Sequence, residues 1–99
     1  MDDWPFDDPK NVATLTVRQV VHLGHPILLV SHDAEDGMWQ FLTGDAVDMA
    51  DALIVSLQSV YLLDPSIAGL ADLPLGWKAS RPSRAEPWQR RSCLAGESQ

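Results

Sequence analysis

A chain of 99 residues, 45% of them hydrophobic, holds enough material for one small domain. A net charge of −7 argues against a nucleic-acid phosphate backbone as partner, and no apolar run approaches the ~20 residues of a membrane span. The one cysteine, Cys93, rules out an intrachain disulfide and fits a reducing cytosol.

The charge is uneven. Residues 1–77 carry two basic and twelve acidic side chains, and residues 78–99 carry five basic and two acidic. Such an acidic body can steer a basic protein toward itself, and it also keeps a small domain soluble. The first residues, MDDWPFDDPK, lack the basic start and apolar core of a secretory signal. Residues 1–11 instead read as a flexible acidic arm. Asp2, Asp3, Asp7 and Asp8 flank Trp4 and Phe6, and Pro5 and Pro9 block regular structure. The two aromatics can dock on a partner or on the domain, and the domain is the favoured place.

Thr16 reads as a helix N-cap. Val17, Val20 and Val21 follow at a 3/4 spacing, and Gly24 and Pro26 end the segment, which predicts a helix over 16–23. Its β-branched content is poor for a helix, so packing must hold it. Residues 27–31 (ILLVS) and 38–43 (MWQFLT) read as strands. Asp36-Gly37 between them signals a hairpin, because Gly37 can take a positive φ. Trp39 and Phe41 share one face of the second strand. Residues 49–63 fit one helix or a strand followed by a helix. Ser56 as an N-cap favours a strand over 53–55 and a helix over 57–63. Asp64-Pro65 then starts a short helix over 65–72, and 77–81 alternates as a final strand. The expected architecture is α+β: a small antiparallel sheet of three to four strands with the helices packed on it. The single domain spans 12–89, and 90–99 reads as a disordered tail.

Several constellations suggest chemistry. Ser31, His32 and Asp33 stand in the order of a hydrolytic triad. Consecutive strand residues point to opposite faces, so the three cannot form one hydrogen-bonded chain, and no nucleophile elbow is present. A calcium loop built on Gly37 would place His32 and Ala34 at its first ligand positions and Thr43 at its last, which does not fit. His22, His25 and His32 lack the converging ligands of a zinc site. No phosphate loop or dinucleotide fingerprint occurs. No catalytic, metal or cofactor residues are assigned. Among four tryptophans, Trp39 and Trp77 are expected in the core. Trp4 and Trp88, each beside a proline, are candidates for partner-facing rings. With the acids Asp33, Glu35, Asp36 and Asp45, they make up the candidate partner-binding set.

Two stretches, GMWQFLTGD and VSLQSVYLLDPSIAGLADLPLGWKASR, resemble the small bacterial domain catalogued as domain of unknown function 2185, also filed as immunity protein family 33. The matching residues are Gly37, Trp39, Phe41, Gly44, Asp45, Leu57, Asp64, Pro65, Pro74, Gly76 and Arg81, within residues 14–81. Met38 separates Gly37 from Trp39, Ala46 replaces an acid, and Ser31-His32 replaces an Arg-Glu pair. The resemblance implies an α+β fold, no enzyme activity and, for some members, neutralisation of a bacterial toxin by direct binding. The expected function is a cytoplasmic protein-binding module without nucleic-acid or membrane partners. The alternative is a small ligand-binding protein or enzyme with a pocket near His32 and Asp45.

Overall fold

The computed structural model describes residues 4–92. The domain is α+β and stands on one mixed sheet of six strands: β1 (Ala13–Val17), β2 (Leu29–His32), β3 (Trp39–Leu42), β4 (Ala52–Ser56), β5 (Trp77–Ser80) and β6 (Gln89–Ser92). Their order is β4-β1-β3-β2-β5-β6. Two short helices, α1 (Arg18–Val21) and α2 (Leu57–Leu63), and two 3-10 segments, Met49–Asp51 and Pro65–Leu70, join the strands. Among the described residues no helix is long and apolar enough to cross a membrane.

The sheet is larger than the sequence predicts, and it is not wholly antiparallel. β1 and β3 run parallel, with Leu15 beside Gln40. The extra strand β1 occupies the start of the predicted helix over 16–23. Thr14 and Thr16 are fully buried and settle the matter. Thr14 Oγ1 donates to Val55 O at 2.9 Å, and Thr16 Oγ1 donates to Phe41 O at 2.7 Å. Their hydroxyls therefore tie β1 to both of its neighbours rather than capping a helix. The β-branched residues Thr14, Thr16 and Val17 suit a pleated strand. What remains of the predicted helix is the four-residue α1, whose N-cap position, Val17, makes no side-chain capping bond.

The second extra strand, β6, runs from the last residue of the expected domain, Gln89, into the first three residues of the segment expected to be disordered. It pairs antiparallel with β5, Trp77 opposite Ser92 and Ser80 opposite Gln89. Its polar side chains give no hydrophobic signal, and the backbone ladder defines it. The rest of the predicted tail, including Cys93, lies outside the described residues.

One sheet face carries the core. Val30 sits opposite Phe41 and Ala79, and His32 opposite Trp39 and Trp77. Against this face pack Leu57 and Val60 of α2, then Ile67, Leu70 and Leu73. Helix α2 forms as predicted: Ser56 Oγ accepts the Ser59 N–H at 3.1 Å. Asp64 caps the next segment through the Ser66 N–H, although that segment is a 3-10 helix ending at Leu70 rather than a helix over 65–72. The other face is more polar, with Gln40, Ser31 and Lys78 in register across β3, β2 and β5.

The N-terminal arm is part of this structure from residue 4 onward. Phe6 is only 5% exposed and meets Trp39 edge-on at 5.4 Å. Trp4 packs edge-on against Tyr61 at 5.5 Å. The flexible arm expected at 1–11 is thus replaced, over its described part, by a strap seated on the core.

The hairpin between β2 and β3 closes as the sequence suggests. Gly37 has φ +73°, its N–H donates to Asp33 O, and the Asp33 N–H donates to Met38 O, both at 2.9 Å. A β-carbon at Gly37 would meet only Leu75 Cδ2, at 4.0 Å, so space is not the obstacle. The penalty of a substitution is backbone strain. Gly37→Val is expected to destabilise the domain by about 1–3 kcal/mol in urea unfolding, and Gly37→Asn by less, because asparagine tolerates positive φ.

Candidate functional site

The structure builds a groove beside the His32–Trp39 pair. The two residues are cross-strand partners at the ends of β2 and β3, so both rings leave the same face. The rings stack with centroids 3.9 Å apart and planes 11° from parallel. His32 Nδ1 lies 2.7 Å from Leu73 O. A carbonyl oxygen can only accept, so Nδ1 carries the proton and donates. Nε2 is then the ring nitrogen left for other contacts.

Trp39 is also fixed at its ring edge. Its Nε1 donates to Asp8 Oδ2 at 2.8 Å, while Trp4 Nε1 donates to Asp8 O at 2.7 Å. One arm residue thus binds two indoles and brings Asp7 and Asp8 to the groove. The opposite wall is the segment from Ala71 to Leu75, and the open groove between them holds about 480 Å³. Three carboxylates, Asp7, Asp8 and Asp72, border it.

Asp72 is engaged from the adjoining edge strand. Arg90 Nη2 donates to Asp72 Oδ1 at 2.6 Å and to Gly69 O at 2.8 Å. The hydrogen bond from Arg90, and then its positive charge, hold the Asp72 carboxyl below its ordinary range. A depressed folded-state pKa means that the stabilisation exists above the ordinary carboxylate range. It is lost as pH falls through the folded value. In an NMR titration Arg90→Gln is expected to return Asp72 to the ordinary range.

A second, smaller cleft of about 210 Å³ lies at the other end of β3 and is lined in part by His25, Asp45, Asp48 and Asp51. Two of these acids have partners: Asp51 accepts from Gln19 Nε2 at 2.8 Å, and Asp48 from the Ala50 N–H at 3.0 Å. Among the described residues no group of three or more His, Cys, Asp or Glu side chains is arranged to hold a metal ion.

The residues singled out from the sequence do not converge. Asp33 accepts from Ser31 Oγ at 2.9 Å and from Gln40 Nε2 at 2.7 Å. Those bonds put Ser31 and Asp33 on one face, while His32 bonds from the other, so their triad order is not a triad in space. Glu35 and Asp36 are exposed in the turn, where Asp36 Oδ1 accepts the Met38 N–H. Asp45 lines the second cleft, at the opposite end of the β2–β3 pair from His32. The single pocket expected near His32 and Asp45 is therefore two separate clefts. Trp4 and Trp88 are each partly buried against the core rather than free. Trp88 stacks on the Arg81 guanidinium, 4.0 Å from ring centroid to Cζ.

The arm acids and the 71–75 wall escape a reading by sequence spacing, because they meet only through the docking of the arm on the core. The alternation of tryptophan, phenylalanine and aspartate in the arm is the one local sign of it. No protein family, no curated protein and no solved structure matches the chain.

Proposed function

We propose that this chain is a non-catalytic protein-binding module of the cytoplasm that receives a basic segment of a partner protein in the groove beside His32 and Trp39. The carrying observation is the groove itself: three carboxylates at its border and the apolar Leu73, Pro74 and Leu75 along one wall. Such a surface suits an arginine or lysine, whose stem lies on apolar surface while its charge meets the acids. The net charge of −7 adds long-range attraction for a basic partner. The resemblance to immunity protein family 33 makes a bacterial toxin the partner class to test first, beginning with any toxin encoded beside this chain.

The test is an amide NMR titration with a short arginine-rich peptide, and with an acidic peptide as control. Expected are shifts at the Trp39 indole N–H and at Leu73 and Gly37 that weaken with added salt. Asp7→Asn combined with Asp72→Asn should abolish them. Shifts confined to the distant Asp45 cleft, or unchanged in the double variant, would assign the basic segment elsewhere.

A further inference from the structure

The two edges of the sheet are built differently. β6 ends one side with Gln89, Arg90, Arg91 and Ser92, polar and cationic residues of the kind that discourages further strand pairing. β4 ends the other with Ala52, Leu53, Ile54, Val55 and Ser56, five uncharged residues in an acidic chain. Ile54, at the centre of that strand, is 62% exposed, and Met49, in the turn that enters it, is 72% exposed.

The register shows which backbone groups face outward. The Leu57 N–H donates to Val12 O at 2.9 Å, in line with a ladder that sets Val55 opposite Thr14 and Leu53 opposite Thr16. Hydrogen-bonded and non-bonded pairs alternate along an antiparallel ladder. Leu53 and Val55 therefore turn their N–H and C=O groups toward β1, and Ala52, Ile54 and Ser56 turn theirs away. The Ala52 N–H is already used, donating to Met49 O. The Ser56 C=O stands at the N-cap of α2, where it accepts the first helical bond. Among the described residues four outward groups remain: the N–H of Ser56, the N–H and C=O of Ile54, and the C=O of Ala52.

This set is its own complement. An antiparallel copy related by a twofold axis at Ile54 matches each Ile54 N–H with the other Ile54 C=O. It also matches each Ser56 N–H with the other Ala52 C=O. Ala52 then faces Ser56, Leu53 faces Val55, and Ile54 faces Ile54, so within the strand no charge meets a like charge. We infer that β4 is a homodimerisation edge that joins two copies antiparallel through residues 52–56 into one continuous sheet. Because a five-residue edge buries less than the ~1,200–2,000 Å² of a standard interface, the dimer is weak and forms with rising concentration. The acidic bodies repel each other, so added salt strengthens the dimer, the opposite of its effect on a basic partner in the groove.

Sedimentation velocity across micromolar to millimolar concentrations tests the inference, with amide exchange as the site-specific readout. The wild-type protein is expected to pass from monomer to dimer. The Ile54 and Ser56 amides should gain protection over the same range, while Leu53 and Val55 stay protected throughout. Ile54→Pro removes only an outward N–H, and Ile54→Lys keeps the backbone but sets like charges at the twofold axis. Both should stay monomeric with wild-type circular dichroism, and should the proline variant fail to fold, the lysine variant carries the test. A wild-type protein monomeric at every concentration overturns the inference, as does a dimer that persists in Ile54→Lys. Ile54 protection in the monomer would give the edge to this chain's own residues, and protection appearing only with an added apolar peptide would give it to a foreign strand. Either result also overturns it.

Discussion

Arg81→Ala is expected to destabilise the domain by about 3–5 kcal/mol, the range for breaking a buried ion pair from one side. Arg81 is 6% exposed, and its guanidinium is fully engaged. Nη2 donates to Asp64 Oδ2 and to Ile27 O, both at 2.9 Å, Nε donates to Ile27 O at 3.1 Å, and Nη1 donates to Ser66 Oγ at 3.1 Å. The Trp88 ring covers its outer side. Removing the guanidinium leaves a carboxylate and a carbonyl buried without their donor, and it uncovers the ring. Asp64 cannot compensate, because its other oxygen already holds the Ser66 N–H and hydroxyl at the start of the 3-10 segment. Arg81→Lys keeps a charge but lacks the planar fork that reaches Ile27 and Asp64 together, so it should lose part of the same stability. Urea unfolding followed by far-ultraviolet circular dichroism measures both. A loss below about 1 kcal/mol for Arg81→Ala would show that Asp64 and the Ile27 carbonyl find other partners once the guanidinium is gone.

This cluster also marks the limit of what could be read along the chain. Asp64 was legible as a cap, because Asp-Pro before an apolar segment has a local mechanism. Its partner was not, since nothing in the spacing of Asp64 and Arg81 says that a strand and a 3-10 segment will bring them to 2.9 Å. Local signals served well elsewhere. Ser56 and the spacing of Leu57 and Val60 located α2, and Gly37 located the hairpin. The misreading at 16–23 arose where two local signals conflicted. Val17, Val20 and Val21 have helical spacing, but Thr14, Thr16 and Val17 have strand propensity, and burial between two strands decided for the latter. β6 carried no pattern at all. The candidate site follows the same rule: its His32–Trp39 floor sits on a legible hairpin, while Asp7, Asp8 and the 71–75 wall reach it only through tertiary packing.

Trp39→Ala is expected to cost about 3–5 kcal/mol, the range for truncating a buried aromatic. Trp39 is 2% exposed, at the start of β3 on the sheet's covered face. His32 stacks on it at 3.9 Å, Phe41 lies nearly parallel at 6.0 Å, and Phe6 meets its edge at 5.4 Å. Truncation removes a ring that three others touch, and a small domain has little slack to refill the space. It also removes the indole N–H that holds Asp8, so the strap carrying Phe6 loses its polar anchor together with its apolar one. Against a total stability of ~5–10 kcal/mol, the variant should be close to unfolding. Trp39→Phe separates the two contributions. It keeps most of the ring contact and loses the bond to Asp8, so a smaller loss is expected, of which about 1 kcal/mol belongs to the hydrogen bond. Circular dichroism during urea unfolding is the suitable readout, because substituting a tryptophan alters the fluorescence baseline. If Trp39→Ala instead kept wild-type stability while the groove lost its peptide, the ring would be a binding surface and not the anchor of the core.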